Sequence, residues 1–163
     1  MAKDTFDDRD NPRFNDRETF MLTVVMRLSD MLDATVGTEQ TQDALAMVAG
    51  MLASDLCEDL LGKNAGATLD PDQVAIALVD LERRIGGGFS VVSVDEDRIV
   101  FHNSRCPFGH RVRGREALCN ITAGLFSRVA ERNLGRGQTE IAQSIAHGDG
   151  HCAVVVRFGP PAR

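Results

Sequence analysis

The chain has 163 residues, of which 43% are hydrophobic and 26% charged, enough for a single core-forming domain and a poor match to disorder or a fibrous architecture. A net charge of -6 and the absence of Trp and Tyr exclude the basic, aromatic-rich surfaces that bind nucleic acid directly. No apolar run approaches a membrane span and the acidic N-terminus lacks the pattern of a signal peptide, so a cytoplasmic protein with no membrane contact is expected.

Residues 1–17 are rich in Asp, Arg and Asn, bury too little apolar surface to offset ordering entropy, and read as a mobile arm. From Glu18, Phe20, Met21, Val24, Val25, Leu28, Met31 and Leu32 recur at helical spacing until Gly37. With Thr38 as N-cap, a second helix carries Ala44, Leu45, Val48, Ala49, Leu52, Leu56, Leu60 and Leu61 along one stripe and closes at Gly62. Residues 18–66 therefore predict a helical hairpin whose stripes either cover the core or pair with a second copy. Leaving them in water is costly, so at least a homodimer is expected. Cys57, on the second stripe, reads as a core residue.

Asp70, Pro71 and Gln73 carry the signs of a third helix: a capping Asp, Pro at the first helical position and Gln three residues after the cap. Val74, Ala77, Leu78, Leu81 and Ile85 predict its buried face. Gly86, Gly87 and Gly88 lack the Lys-Ser/Thr of a phosphate loop and read as a helix stop and hinge. The period then changes to that of strands, at Phe89–Val94 and Ile99–His102 around a turn at Asp95–Asp97. A Cys-Pro-Phe-Gly loop from Cys106 follows, then a helix over Arg115–Asn133 bearing Leu118, Ile121, Leu125 and Val129. A second hairpin pairs Gln138–Ala146 with Cys152–Phe158. The fold class is α+β: N-terminal helices followed by a β-β-α-β-β antiparallel sheet domain over residues 67–163, with helix on one face.

Cys106 follows a strand, Cys119 lies in the first turns of a helix and Cys152 starts the last strand. Element ends of this kind converge in a compact layout, which is how metal-thiolate sites are built. In a reducing compartment, metal or redox chemistry is a better use of cysteine than a disulfide. The three cysteines are the expected cofactor ligands, with His110 or His151, or else His147, as a fourth metal ligand and His102 the weakest candidate. Arg105, Arg111, Arg113 and Arg115 crowd the Cys106 loop, and Cys119 lies near a helix N-terminus, so low-pKa thiolates are expected. The alternatives are three buried cysteines and a solvated basic loop.

Cys106-Pro-Phe-Gly109, Ala117-Leu-Cys119-Asn-Ile-Thr-Ala-Gly-Leu-Phe126 and Ser144-Ile-Ala-His-Gly-Asp-Gly-His-Cys152-Ala-Val-Val-Val156 resemble the methanogen output domain of bacterial and archaeal signalling proteins. The resemblance covers roughly Gly87 to Phe158 and leaves the N-terminal helices unassigned; more distantly, the chain is similar to the four-vinyl-reductase domain. That resemblance implies a sensory fold that often dimerises, holds a small molecule between helix and sheet, and in phenol-sensing activators binds zinc. It implies Cys119 and Cys152 in the places of the outer zinc ligands. The sequence departs from the pattern at Ile141 and Ser144, where a ligating Glu and an inner Cys would stand. Cys106 then becomes the third ligand, and an iron-sulfur cluster and zinc both stay open. The expected function is a sensory or regulatory protein that signals redox state or a small-molecule ligand to a signalling partner or sister subunit. The alternatives are an enzyme of the vinyl-reductase or thiazoline-hydrolase kind, for which no catalytic fingerprint stands in the chain, and a ligand-binding module with structural cysteines.

Overall fold

A computed structural model describes residues 16–61 and 68–159. The expected mobile arm before Asp16, the side chains of Leu60 and Leu61, and the Gly62 stop lie outside them. Helices α1 (Arg17–Val36), α2 (Thr38–Leu61) and α3 (Pro71–Arg84) precede strands β1 (Phe89–Val94) and β2 (Arg98–Asn103). Two short 3₁₀ turns, Gly109–Val112 and Glu116–Leu118, lead into α4 (Cys119–Leu134), and β3 (Gln138–Gln143) and β4 (Cys152–Arg157) close the chain. The sheet is antiparallel in the order β1-β2-β4-β3, as the α+β reading expects.

Strand alternation decides which residues face the helices. Ile99, Phe101 and Asn103 of β2 lie opposite Val156, Val154 and Cys152 of β4, and all six are buried. All but Asn103 pack with Leu125, Phe126, Val129 and Ala130 of α4, Val74, Leu78 and Leu81 of α3, and Ala53 and Cys57 of α2 in one core. Phe89, Phe101 and Phe126 meet edge-on or tilted within it at centroid distances of 5.2 to 6.3 Å. Helix α2 lies so close to α4 that a Cβ on Gly124 would stand 2.7 Å from the Ala49 Cβ.

Helix α3 begins as read, with the Asp70 side chain accepting from Gln73 N–H at 2.8 Å and the Gln73 side chain accepting from Asp70 N–H at 3.0 Å. Its buried face differs: Ile85 is exposed, and Ala75 and Glu82 are buried with Val74, Leu78 and Leu81. Gly86, at φ +89°, ends the helix where an L side chain would be strained. On α1 the inward residues are Thr23, Met26 and Ser29, while Phe20, Met21, Leu28 and Met31 remain exposed. The apolar stripe of α1 is therefore not what holds it to the protein. Met26 joins Leu45, Val112, Ala117, Leu118 and Ala146 in a second cluster, against which Cys106, Phe108 and Cys119 pack.

Candidate functional site

Asn103 ends β2 with its side chain turned inward, and three segments meet on it. Its Oδ1 accepts from Gly88 N–H and Arg105 N–H, each at 3.1 Å, and its Nδ2 donates to Cys152 Sγ at 3.8 Å. The glycine hinge, the start of the Cys106 loop and the start of β4 are thus clamped by one buried amide. Sequence reasoning passed over Asn103, although a polar residue at an inward strand position was a readable signal.

Cys106, Cys119 and Cys152 line one cavity of about 30 Å³ with Phe89, Asn103, Phe108 and Val154. That is room for about one water. Each sulfur has a polar neighbour. Cys152 Sγ accepts from Ile145 N–H at 3.4 Å, Phe108 N–H reaches Cys106, and the Ser144 side chain is within hydrogen-bonding reach of Cys119. The structure thus brings together the three cysteines picked out from their element ends.

It does not supply the expected histidines. His151 precedes the inward Cys152 and stacks on His102 at 4.8 Å, on the opposite face of the sheet by strand alternation. His110 is exposed on its 3₁₀ turn, whose buried residue is Val112, and His147 pairs with Glu116 at 3.0 Å. Among the described residues, no group of three or more His, Cys, Asp and Glu side chains is arranged to hold a metal ion. The donor set suits a thiolate-bound metal, but its spacing here does not.

The low-pKa expectation is overturned. Burial pushes the Cys106 thiol up to about 12, and the neighbouring Cys119 and Cys152 add to the rise. Burial likewise pushes Cys119 up to about 11, again with Cys152 beside it. Arg105, Arg111 and Arg115, expected to favour the thiolates, bond elsewhere. Arg105 Nε donates to Gly86 O at 2.8 Å and Arg111 Nη1 to Thr23 Oγ1 at 2.9 Å. Arg115 holds Asp30 through two bonds of 2.7 and 3.0 Å and donates a third to Arg111 O at 2.7 Å. Arg111 and Arg115 thus tie the Cys106 loop to α1, and Arg105 ties it to the glycine hinge.

A second cavity, of about 490 Å³, lies on the other side of Pro107, Phe108 and Thr122, which line both. Its walls are Leu22 of α1, Leu52 and Leu56 of α2, Leu81 of α3 with Ile85 just beyond its end, and Ile121 and Leu125 of α4, with Asp55, Asp59 and Glu82 as its charged members. This volume and apolar lining suit a small organic ligand. Glu82 is only 1% exposed, and its Oε2 has no hydrogen-bond partner among the described residues. Desolvation raises its carboxyl to about 7.

The family described as methanogen output domain 1 matches residues 20–157. No curated protein matches the sequence. Among solved structures, the phenol-responsive sensory domain of the transcription activator PoxR with phenol is similar at a TM-score of 0.70 and 13% identity, over 84% of this chain and 74% of that one. Trafficking protein particle complex subunit 3 from Naegleria fowleri, covalently bound to palmitic acid, is similar at 0.68 and 17%, over 90% and 96%. An Fe(II) unliganded H-NOX protein from K. algicida is similar at 0.58 and 15%, over 90% and 76%. At such identities the likeness is one of fold.

Proposed function

The chain belongs to the methanogen output domain 1 family, and from that premise we propose that it is a sensory and regulatory domain binding a small, mainly apolar molecule between its helices and the Cys106 loop. The carrying observation is the cavity of about 490 Å³ walled by all four helices and by Pro107 and Phe108. The similar folds of a phenol-responsive domain, a palmitic acid-bound subunit and an H-NOX protein support the reading. A ligand against Phe108 presses on the loop that carries Cys106 and, through Arg111 and Arg115, on α1. Occupancy is thereby coupled to the N-terminal helix.

The neutral fluorophore 1-aminoanthracene tests this reading. It should bind the full chain with a blue-shifted, saturable emission, and Leu56→Trp, which fills the cavity from a half-buried position, should abolish binding with the fold intact. Undiminished binding to that variant would refute the assignment.

A homodimer belongs to the same reading. Met47 and Met51 of α2 are 74% and 70% exposed and lie beside exposed Val48 and Leu52, an apolar surface that a second copy would cover. Sedimentation of the full chain should give a dimer, and a stable monomer at micromolar concentration would remove this part. A second reading, that Cys106, Cys119 and Cys152 hold an iron-sulfur cluster or zinc, is favoured by their sharing one cavity. It requires the sulfurs to close in and lose their protons. Iron, sulfide and zinc measured per chain on anaerobically purified protein decide it.

A further inference from the structure

We propose that the ligand of the helix–loop cavity is an organic cation, a protonated amine on a small apolar body, anchored by the Glu82 carboxylate. This rests on the cavity reading above and adds the ligand's charge. Three charged side chains line the cavity, Asp55, Asp59 and Glu82, and all are acidic. No described lysine, arginine or histidine lines it. Asp55 and Asp59 are exposed on α2, whereas Glu82 is 1% exposed with Oε2 unpartnered among the described residues.

A buried carboxylate without a partner is a standing cost that a cation in contact with it relieves. The described residues make room for Glu82 without supplying a counterion. Gly87 passes so close that a Cβ there would stand 2.7 Å from Glu82 Oε2, and Leu81, Ile85, Phe108 and Leu125 line the same cavity. A carboxylic acid ligand would add a fourth acidic group to such a site and is disfavoured by the same field. The groove of about 720 Å³ between α2 and α4 differs in kind, because Arg128, Arg132, Asp43 and Glu131 give its wall both signs of charge.

Three ligands with one aromatic body separate charge from shape: 2-phenylethylamine, 2-phenylethanol and phenylacetate, each titrated into the full chain at pH 8 by displacement of bound 1-aminoanthracene. The amine should bind about tenfold more tightly than the alcohol, the scale of one charge-assisted contact, and phenylacetate should be weakest. Glu82→Gln should bring the amine to within about threefold of the alcohol, whose affinity stays the same. Equal binding of amine and alcohol, preference for phenylacetate, or an amine preference that survives Glu82→Gln overturns the proposal. If Glu82→Gln does not fold, the wild-type ranking decides alone. Fluorophore binding that Leu56→Trp blocks, without preference for the amine, leaves the cavity reading standing and removes the cation. Failure of the fluorophore to bind the wild-type chain removes both.

Discussion

Glu82 should make the protein less stable as pH rises through the range where most proteins gain stability. In the unfolded chain its carboxyl titrates near 4.5, whereas in the fold desolvation holds it at about 7. Between those values the folded state binds the extra proton, so stability falls with increasing pH and levels off above about 7. At about 1.4 kcal/mol for each pH unit of difference, the loss amounts to about 3 kcal/mol. The His147–Glu116 pair slopes the same way. Its hydrogen bond and charge raise the His147 pKa above 6.5, so its contribution is full below that pH and is lost above it. The assay is therefore a comparison: urea denaturation of wild type and Glu82→Gln at pH 4.5, 6 and 8. The stability of wild type relative to the variant should drop by about 3 kcal/mol from the first pH to the last. A difference that stays constant within about 0.5 kcal/mol would mean that water or a partner reaches Glu82, and the reasoning that makes it a ligand anchor would fail.

Gly124→Val should destabilise the fold by about 1–3 kcal/mol in the same assay, because even a Cβ there would collide with Ala49 across the α2–α4 contact. Arg115→Ala should cost about 1 kcal/mol by removing a part-buried two-bond pair with Asp30. Hydrogen exchange should show α1 losing protection while the sheet keeps it, and unchanged protection in α1 would mean that Met26 and its cluster suffice. Alkylation of Cys106 and Cys119 by iodoacetamide, followed by mass spectrometry, should be slow at pH 7, because burial holds both as thiols. Modification at the rate of an exposed cysteine would show that the thiol cavity opens readily.

What the sequence revealed depended on how local the cause was. Asp70, Pro71 and Gln73 set the start of α3 through bonds spanning three residues, so the capping box could be read directly. The three cysteines could be grouped because each sits where an element begins or ends. The arginines misled because they stand beside Cys106 in sequence, yet Arg111 and Arg115 bond to Thr23 and Asp30, 88 and 85 residues away. Nothing local encodes such a pairing. Glu82 was legible in principle, since Val74, Leu78 and Glu82 recur at intervals of four and put a carboxylate on the apolar stripe of α3. On α1, the apolar period suggested which face is hydrophobic, but the face that packs is the one bearing Thr23, Met26 and Ser29.

The most direct test of a ligand-binding sensor is methyl NMR of the full chain titrated with 2-phenylethylamine. Shifts should be confined to Leu22, Leu56, Leu81, Ile121 and Leu125 around the cavity, with Val25 and Met26 of α1 following through the Cys106 loop. Shifts centred instead on Met47 and Met51 in the α2–α4 groove, or none at millimolar ligand, would contradict the account.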